Sequence, residues 1–169
     1  MDFLVHSRAS ATAGPGSDDL NERHWSYMDR FAAGMTARGP TLGPDRETWT
    51  GSMHVVSLPS EPDVRAFVDE EPYQLAGRFE SHRIWHFTDL LGRIMWEHSG
   101  DPDEPRFLVF APELPDLPVE RVIVRGQLHT LDGHPAGYVL AVQLPDRSGL
   151  DGLDGLDAEV HDWEPGGRR

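Results

Sequence analysis

A chain of 169 residues without cysteine holds no disulfide, thiolate metal site or cysteine nucleophile, and it fits a reducing, cytoplasmic setting. Its formal charge of −14, from 15 basic and 29 acidic residues, repels phosphate backbones and anionic lipid headgroups, so neither nucleic acid nor a membrane surface is an expected partner. The opening Met1-Asp2-Phe3-Leu4-Val5-His6 does not read as a secretory signal, and no apolar run approaches the roughly 20 residues that span a bilayer.

Phe3 to Arg8 reads as a first strand. Residues 9–18 are small, polar and rich in Gly and Pro, hence a loop, with Asp18 or Asp19 placed to cap a helix. Leu20, His24, Tyr27, Met28, Phe31 and Met35 recur at three- and four-residue steps, which predicts that helix from Leu20 to Ala37 with one apolar face. Arg38-Gly39-Pro40 stops it, and Pro40-Thr41-Leu42 leaves room for a short strand. Gly51 to Leu58 alternates as a strand does. Ser60-Glu61-Pro62-Asp63 opens a second helix, with Val64, Phe67 and Val68 as its buried stripe and Glu71-Pro72-Tyr73 as its end. Ser81 to Phe87 predicts a further strand. Strands joined by helices in the order β-α-β-α-β give an α+β fold, a ferredoxin-like plait.

Leu90, Leu91, Ile94 and Met95 fit a short amphipathic helix, and residues 99–105 are a linker by composition. Beyond it the first half returns in order. Phe107-Leu108-Val109 matches Phe3-Leu4-Val5, and Val124-Arg125-Gly126 matches Ala37-Arg38-Gly39. Gly137 to Pro145 matches Gly51 to Pro59, and Val160 to Glu164 matches His82 to His86, which sets Trp163 against Trp85. The matched positions draw closer along the chain, so the second copy lacks the first helix and much of the second. The Gly-Leu-Asp repeat from Gly149 to Asp157 falls in that second gap and reads as a loop. The expected organisation is one domain over residues 1–98, a linker over 99–105, and a helix-depleted second copy over 106–169 packed on the first. A sheet with helices on one side leaves an apolar face that needs cover. A homodimer is the expected assembly, and a monomer whose second half mimics the partner is the alternative.

His24 is the residue best suited to general acid–base work, because an unperturbed imidazole titrates near pH 6.5. Glu71, Asp69 or Asp45 could orient it. Tyr73 follows Glu71 closely enough to stand at the same pocket mouth, Ser52 could hydrogen-bond a ligand, and Trp25 and Trp49 with Tyr73 could form apolar walls. The nine histidines form no recognised ligand motif, so no metal is expected, and no Gly-rich phosphate loop or Gly-x-Ser-x-Gly context occurs. No cofactor is assigned.

The ordered set His24, Gly39-Pro40, Gly51-Ser52, Glu71-Pro72-Tyr73 and Ala76-Gly77 resembles the YCII-related (YciI-like) proteins over roughly residues 1–98. The resemblance implies a fold of the dimeric α+β barrel type and a site at the helix-borne His with a nearby acid. It also implies chemistry of the lyase or isomerase kind on small ring compounds. Glu71 stands where that family usually carries Asp. The second copy has no equivalent of His24, so the site belongs to the first. Two functions are compatible with these residues: a small-molecule enzyme using His24 and Glu71 for proton transfer, or a non-catalytic ligand-binding or assembly module.

Overall fold

Alternation along Phe3-Leu4-Val5 gives the first strand, β1 (Asp2–Ala9), two buried faces. In the computed structural model, which describes residues 1–153 and 156–168, Phe3 and Val5 pack against helices while Leu4 points to the opposite side. The first helix, α1 (Asp18–Asp29), is capped by Ser17 rather than by either aspartate. The Ser17 hydroxyl accepts from the Leu20 amide at 3.2 Å, and Asp18 and Asp19 lie in the first turn.

Helix α1 ends at Asp29, well short of the predicted Ala37. A 3₁₀ turn over Ala32–Gly34 comes next, and Met35–Leu42 is the second strand, β2. The misleading signal was apolar spacing. Phe31 and Met35 pack on the same cluster as α1, one from beyond the helix end and the other from a strand. Arg38-Gly39-Pro40 is therefore strand rather than helix stop.

Strand β3 (Trp49–Ser57), α2 (Glu61–Asp69) and β4 (Phe79–Asp89) lie close to their predicted positions. Glu71-Pro72-Tyr73 does more than end α2. Glu71 caps a further short helix, α3 (Pro72–Leu75), by accepting from the Gln74 amide at 3.0 Å. No helix forms from Leu90 to Met95; only a 3₁₀ turn, Met95–Glu97, is present. Of that apolar set Met95 alone is fully buried, while Leu90 and Ile94 are exposed.

Strands β5 (Arg106–Ala111), β6 (Val122–His129), β7 (Pro135–Gln143) and β8 (Glu159–Trp163) make up the rest of the sheet. All eight strands close into one barrel in the order β1-β3-β2-β8-β5-β7-β6-β4. Each half contributes four adjacent strands, and the two sets have the same internal order. The registers agree as well: Phe3 faces Val56, and Phe107 faces Val142. The ladder slips between Met35 and Ala37 in one half and between Val122 and Val124 in the other.

The last strand departs from the sequence match. Leu4 faces Trp85, but Leu108 faces His161, while Trp163 pairs with Thr41 of β2. A shift of two residues keeps every side chain on its own face, so the hydrophobic pattern could not reveal it.

The barrel interior is one core drawn from both halves. Leu4, Met53 and Val55 meet Leu108, Ile123, Val139 and Trp163 there. Helices α1 and α2 cover the outside of the first four strands through Tyr27, Met28, Val64, Phe67 and Val68. Outside the second four, Leu144, Leu150 and Leu153 provide cover, the last two from a 3₁₀ segment over Arg147–Leu153 in place of the expected loop. Asp154 and Gly155 of the Gly-Leu-Asp repeat lie outside the described residues. Among the described residues no helix is long and apolar enough to cross a membrane.

Candidate active site

Helix α1 carries His24 and the cap of α3 carries Glu71, and the packing of these two helices sets the pair. The His24 Nδ1 lies 2.5 Å from the Glu71 Oε1. Both side chains are largely buried, with 13% and 5% of their surface exposed. Glu71 accepts from the Gln74 amide with its other oxygen, which fixes the carboxylate. Nδ1 is thus the ring nitrogen facing the carboxylate, and among the described residues no hydrogen bond is made by the opposite nitrogen, Nε2.

Tyr73 lies flat on His24, with ring centroids 4.1 Å apart and planes 9° from parallel. Its hydroxyl donates to the Asn21 side chain at 2.7 Å. Burial raises the Tyr73 phenol above its usual range, so it stays protonated at neutral pH. The Arg78 guanidinium stacks over Tyr73 and Trp49 at 4.5 and 4.3 Å from their centroids. These contacts hold the His24 ring in one plane.

A cavity of about 180 Å³ opens beside the pair. His24, Trp25, Trp49, Ser52 and Tyr73 all line it, so it brings together every predicted site residue except Glu71, which reaches it through His24. Asp45 is elsewhere: it bonds Glu47 and Thr48 within its own turn. The Ser52 hydroxyl is buried and has no hydrogen-bond partner among the described residues.

Three features of this cavity were missed by sequence reasoning. Arg38, His54 and the Gly166-Gly167 segment also line it. His54 faces Arg38 across the β2–β3 ladder. Burial, followed by the nearby His24 and Arg38, pushes the His54 ring down to about 3, so it is neutral. A charged residue among the buried positions of a strand is the signal for Arg38, and the apolar spacing that predicts helix as far as Ala37 hides it. The Gly166 amide donates to the Arg38 carbonyl at 2.9 Å, so the far end of the chain walls a cavity in the first half.

A second polar centre lies inside the barrel at one mouth. His6, on the Leu4 face of β1, accepts at Nδ1 from Arg83 at 2.7 Å. Arg83 also grips Glu159 with two bonds, at 2.6 and 2.7 Å, and His161 reaches the same carboxylate at 2.7 Å. Burial, then His161 and Arg83, lowers the His6 ring to about 3. The bond from His161 outweighs burial and holds Glu159 at about 2. His6, Glu159 and His161 have ligand-type atoms within 4.8 Å of one another. Arg83 already occupies the cation position among them, since one of its nitrogens bonds both His6 and Glu159. A divalent ion at that place would have to displace a guanidinium.

Two further histidines, both on β4, divide between sites. His82 links Ser7 and Gln74, both at 2.8 Å, and so supports the segment bearing Glu71. His86 sits 3.3 Å from Glu61 at the start of α2.

The YCII-related domain pattern matches residues 1–88, more than half of the chain. No curated protein matches. Among solved structures, a 5-chloro-2-hydroxyhydroquinone dehydrochlorinase from Burkholderia phenoliruptrix, complexed with 2,5-dihydroxybenzoquinone, is 26% identical with a TM-score of 0.41, over 50% of this chain and 90% of that one. A candidate monooxygenase from Lactobacillus acidophilus NCFM is 8% identical with a TM-score of 0.49, over 97% of this chain and 93% of that one. A candidate chlorite dismutase is 10% identical with a TM-score of 0.54, over 96% of this chain and 94% of that one. That last likeness concerns the fold alone and is of the dimeric α+β barrel kind. With the family pattern spanning the strands and helices that build the His24 cavity, the chain belongs to the YCII-related domain family.

Proposed function

We propose that the chain is a small-molecule enzyme of the lyase or isomerase type. His24 takes a proton from a carbon next to an electron-withdrawing group and returns it to another position or to a leaving group. Glu71 holds the imidazole in one tautomer and stabilises it once charged. Tyr73, Trp25 and Trp49 wall the substrate, and Ser52 offers its hydroxyl. The observation that carries this reading is the 2.5 Å contact between His24 and Glu71 at the edge of a cavity. A histidine kept for packing alone has no need of a dedicated, buried carboxylate beside a void.

The test is proton exchange in deuterium oxide, followed by NMR, over a panel of cyclic enols, lactones and small aromatic acids. Wild type should exchange an acidic C–H of at least one compound, and His24→Gln should lose it by roughly 10²-fold or more. Equal exchange by a folded His24→Gln would remove His24 from the chemistry. Binding without exchange would favour the ligand-binding module.

We also infer that residues 106–169 are a helix-depleted copy of the first unit and take the place of a partner subunit. The shared strand order, the matching registers and the common ladder slip support this.

A further inference from the structure

We infer that the His24 cavity binds a small planar monoanion, a carboxylate or phenolate, with Arg38 as the residue that recognises its charge. This rests on the cavity being a ligand site, as proposed above, but not on proton transfer taking place there.

Arg38 is 5% exposed, so its guanidinium is removed from water. Burying a cation is costly unless it is paired. Its pairing is incomplete. One terminal nitrogen donates to the Arg168 carbonyl at 2.5 Å, and among the described residues the carboxylate paired with it, on Asp29, lies 3.7 Å from that same nitrogen. The other terminal nitrogen is buried and has no partner among the described residues. Asp29 is also shared, because Arg168 approaches it at 3.7 Å. The described residues thus leave a guanidinium short of both charge and acceptors on the wall of a cavity.

The surroundings favour an anion over a neutral guest. His54 opposite Arg38 is neutral and adds no charge. Glu71, which reaches the cavity through His24, is engaged by His24 and by the Gln74 amide. The unpaired Ser52 hydroxyl adds a second donor. An anionic ligand in the cavity that both residues line would supply acceptors to these donors, and charge-assisted bonds are about twice as strong as neutral ones.

The size and walls restrict the rest of the ligand. About 180 Å³ is below the roughly 300–1,000 Å³ of sites for drug-sized molecules. The Trp25, Trp49 and Tyr73 rings suit a flat body. The C-terminal segment sets the limit at one side. Gly167 has φ +85°, and a Cβ there would stand 2.3 Å from Arg38 Nε, so a glycine lets this backbone press against the guanidinium.

The test uses the full chain and two matched pairs of probes: benzoate with benzamide, and salicylate with salicylamide. Calorimetry at pH 7 should show each anion binding roughly tenfold or more tightly than its amide. Arg38→Met should abolish that preference, and Ser52→Ala should reduce it. No charge preference in wild type overturns the proposal without recourse to any variant, and so does a preference that survives in Arg38→Met. Proton exchange by wild type without anion preference would keep the chemistry and remove the role of Arg38. Anion preference without exchange would do the reverse.

Discussion

Arg83 and Glu159 occupy corresponding positions in the two halves of the barrel and are bound to each other across its interior. Arg83 faces His6 in the β1–β4 ladder, and Glu159 faces Phe110 in the β5–β8 ladder. Two strands with the same place in their sheets thus carry opposite charges where they meet. A symmetric pair of subunits would bring like against like at this point, and a single chain does not have to. His6 and Phe110 are likewise counterparts in contact, with ring centroids 5.2 Å apart.

This pairing should be measurable but modest. Arg83 and Glu159 are 41% and 42% exposed, so solvent screens them. A double-mutant cycle with Arg83→Met and Glu159→Gln, by urea unfolding, should give a coupling of about 1 kcal/mol, not the roughly 3–5 kcal/mol of breaking a buried pair. A coupling near zero would mean that the two bonds are made as readily to water.

Stability should fall as the solution is acidified from neutrality. His6 and His54 are each lowered to about 3 by burial, against about 6.5 in the unfolded chain. The unfolded state therefore takes up two protons that the folded state refuses. Their contribution is complete above pH 6.5 and drains away between 6.5 and about 3, at up to about 1.4 kcal/mol per pH unit for each ring. Glu159, lowered to about 2, acts in the same direction below its unfolded value of 4.5. Urea midpoints that stay level from about pH 7 to 5 would contradict the burial of both rings.

The whole chain should sediment as a monomer at all concentrations. Among the described residues every strand has two neighbours, so the barrel leaves no sheet edge for a second copy. A shortened chain ending at residue 105 should self-associate, because Leu4, Met53 and Val55 would lose Leu108, Ile123 and Trp163 as cover. A concentration-dependent dimer of the whole chain would return the partner role to a second subunit.

Gly39→Ala should loosen the C-terminal segment. A Cβ at Gly39 would stand 1.9 Å from the Glu164 carbonyl oxygen, and backbone rather than a flexible side chain would have to yield. The expected cost is about 1–3 kcal/mol in a urea titration. An unchanged midpoint would show that the segment sits on β2 without constraint.

Much of this was legible from residue order alone. Alternation located β1, β3 and β4, and the Val64-Phe67-Val68 stripe located α2. The set from His24 to Ala76-Gly77 pointed to the family, and four short matches pointed to a second set of strands. Those signals are local: they depend on period and on residues with strong backbone preferences. Phe31 and Met35 show where local reading fails, since two different elements can pack on one cluster and mimic a single helical face.

Long-range packing supplied what no local pattern carries. It put Glu71 rather than Asp45 beside His24, because helix packing brings the cap of α3 to that ring while Asp45 bonds within its own turn. It moved the last ladder by two residues, a shift that leaves every side chain on the same face and so costs the hydrophobic pattern nothing. It set Arg38 beside the carbonyl of Arg168, a contact across most of the chain's length that only barrel closure creates. Local residue patterns settled most of the elements and the family they make. Closing the barrel settled which charges meet, since that depends on distances between strands far apart in the chain.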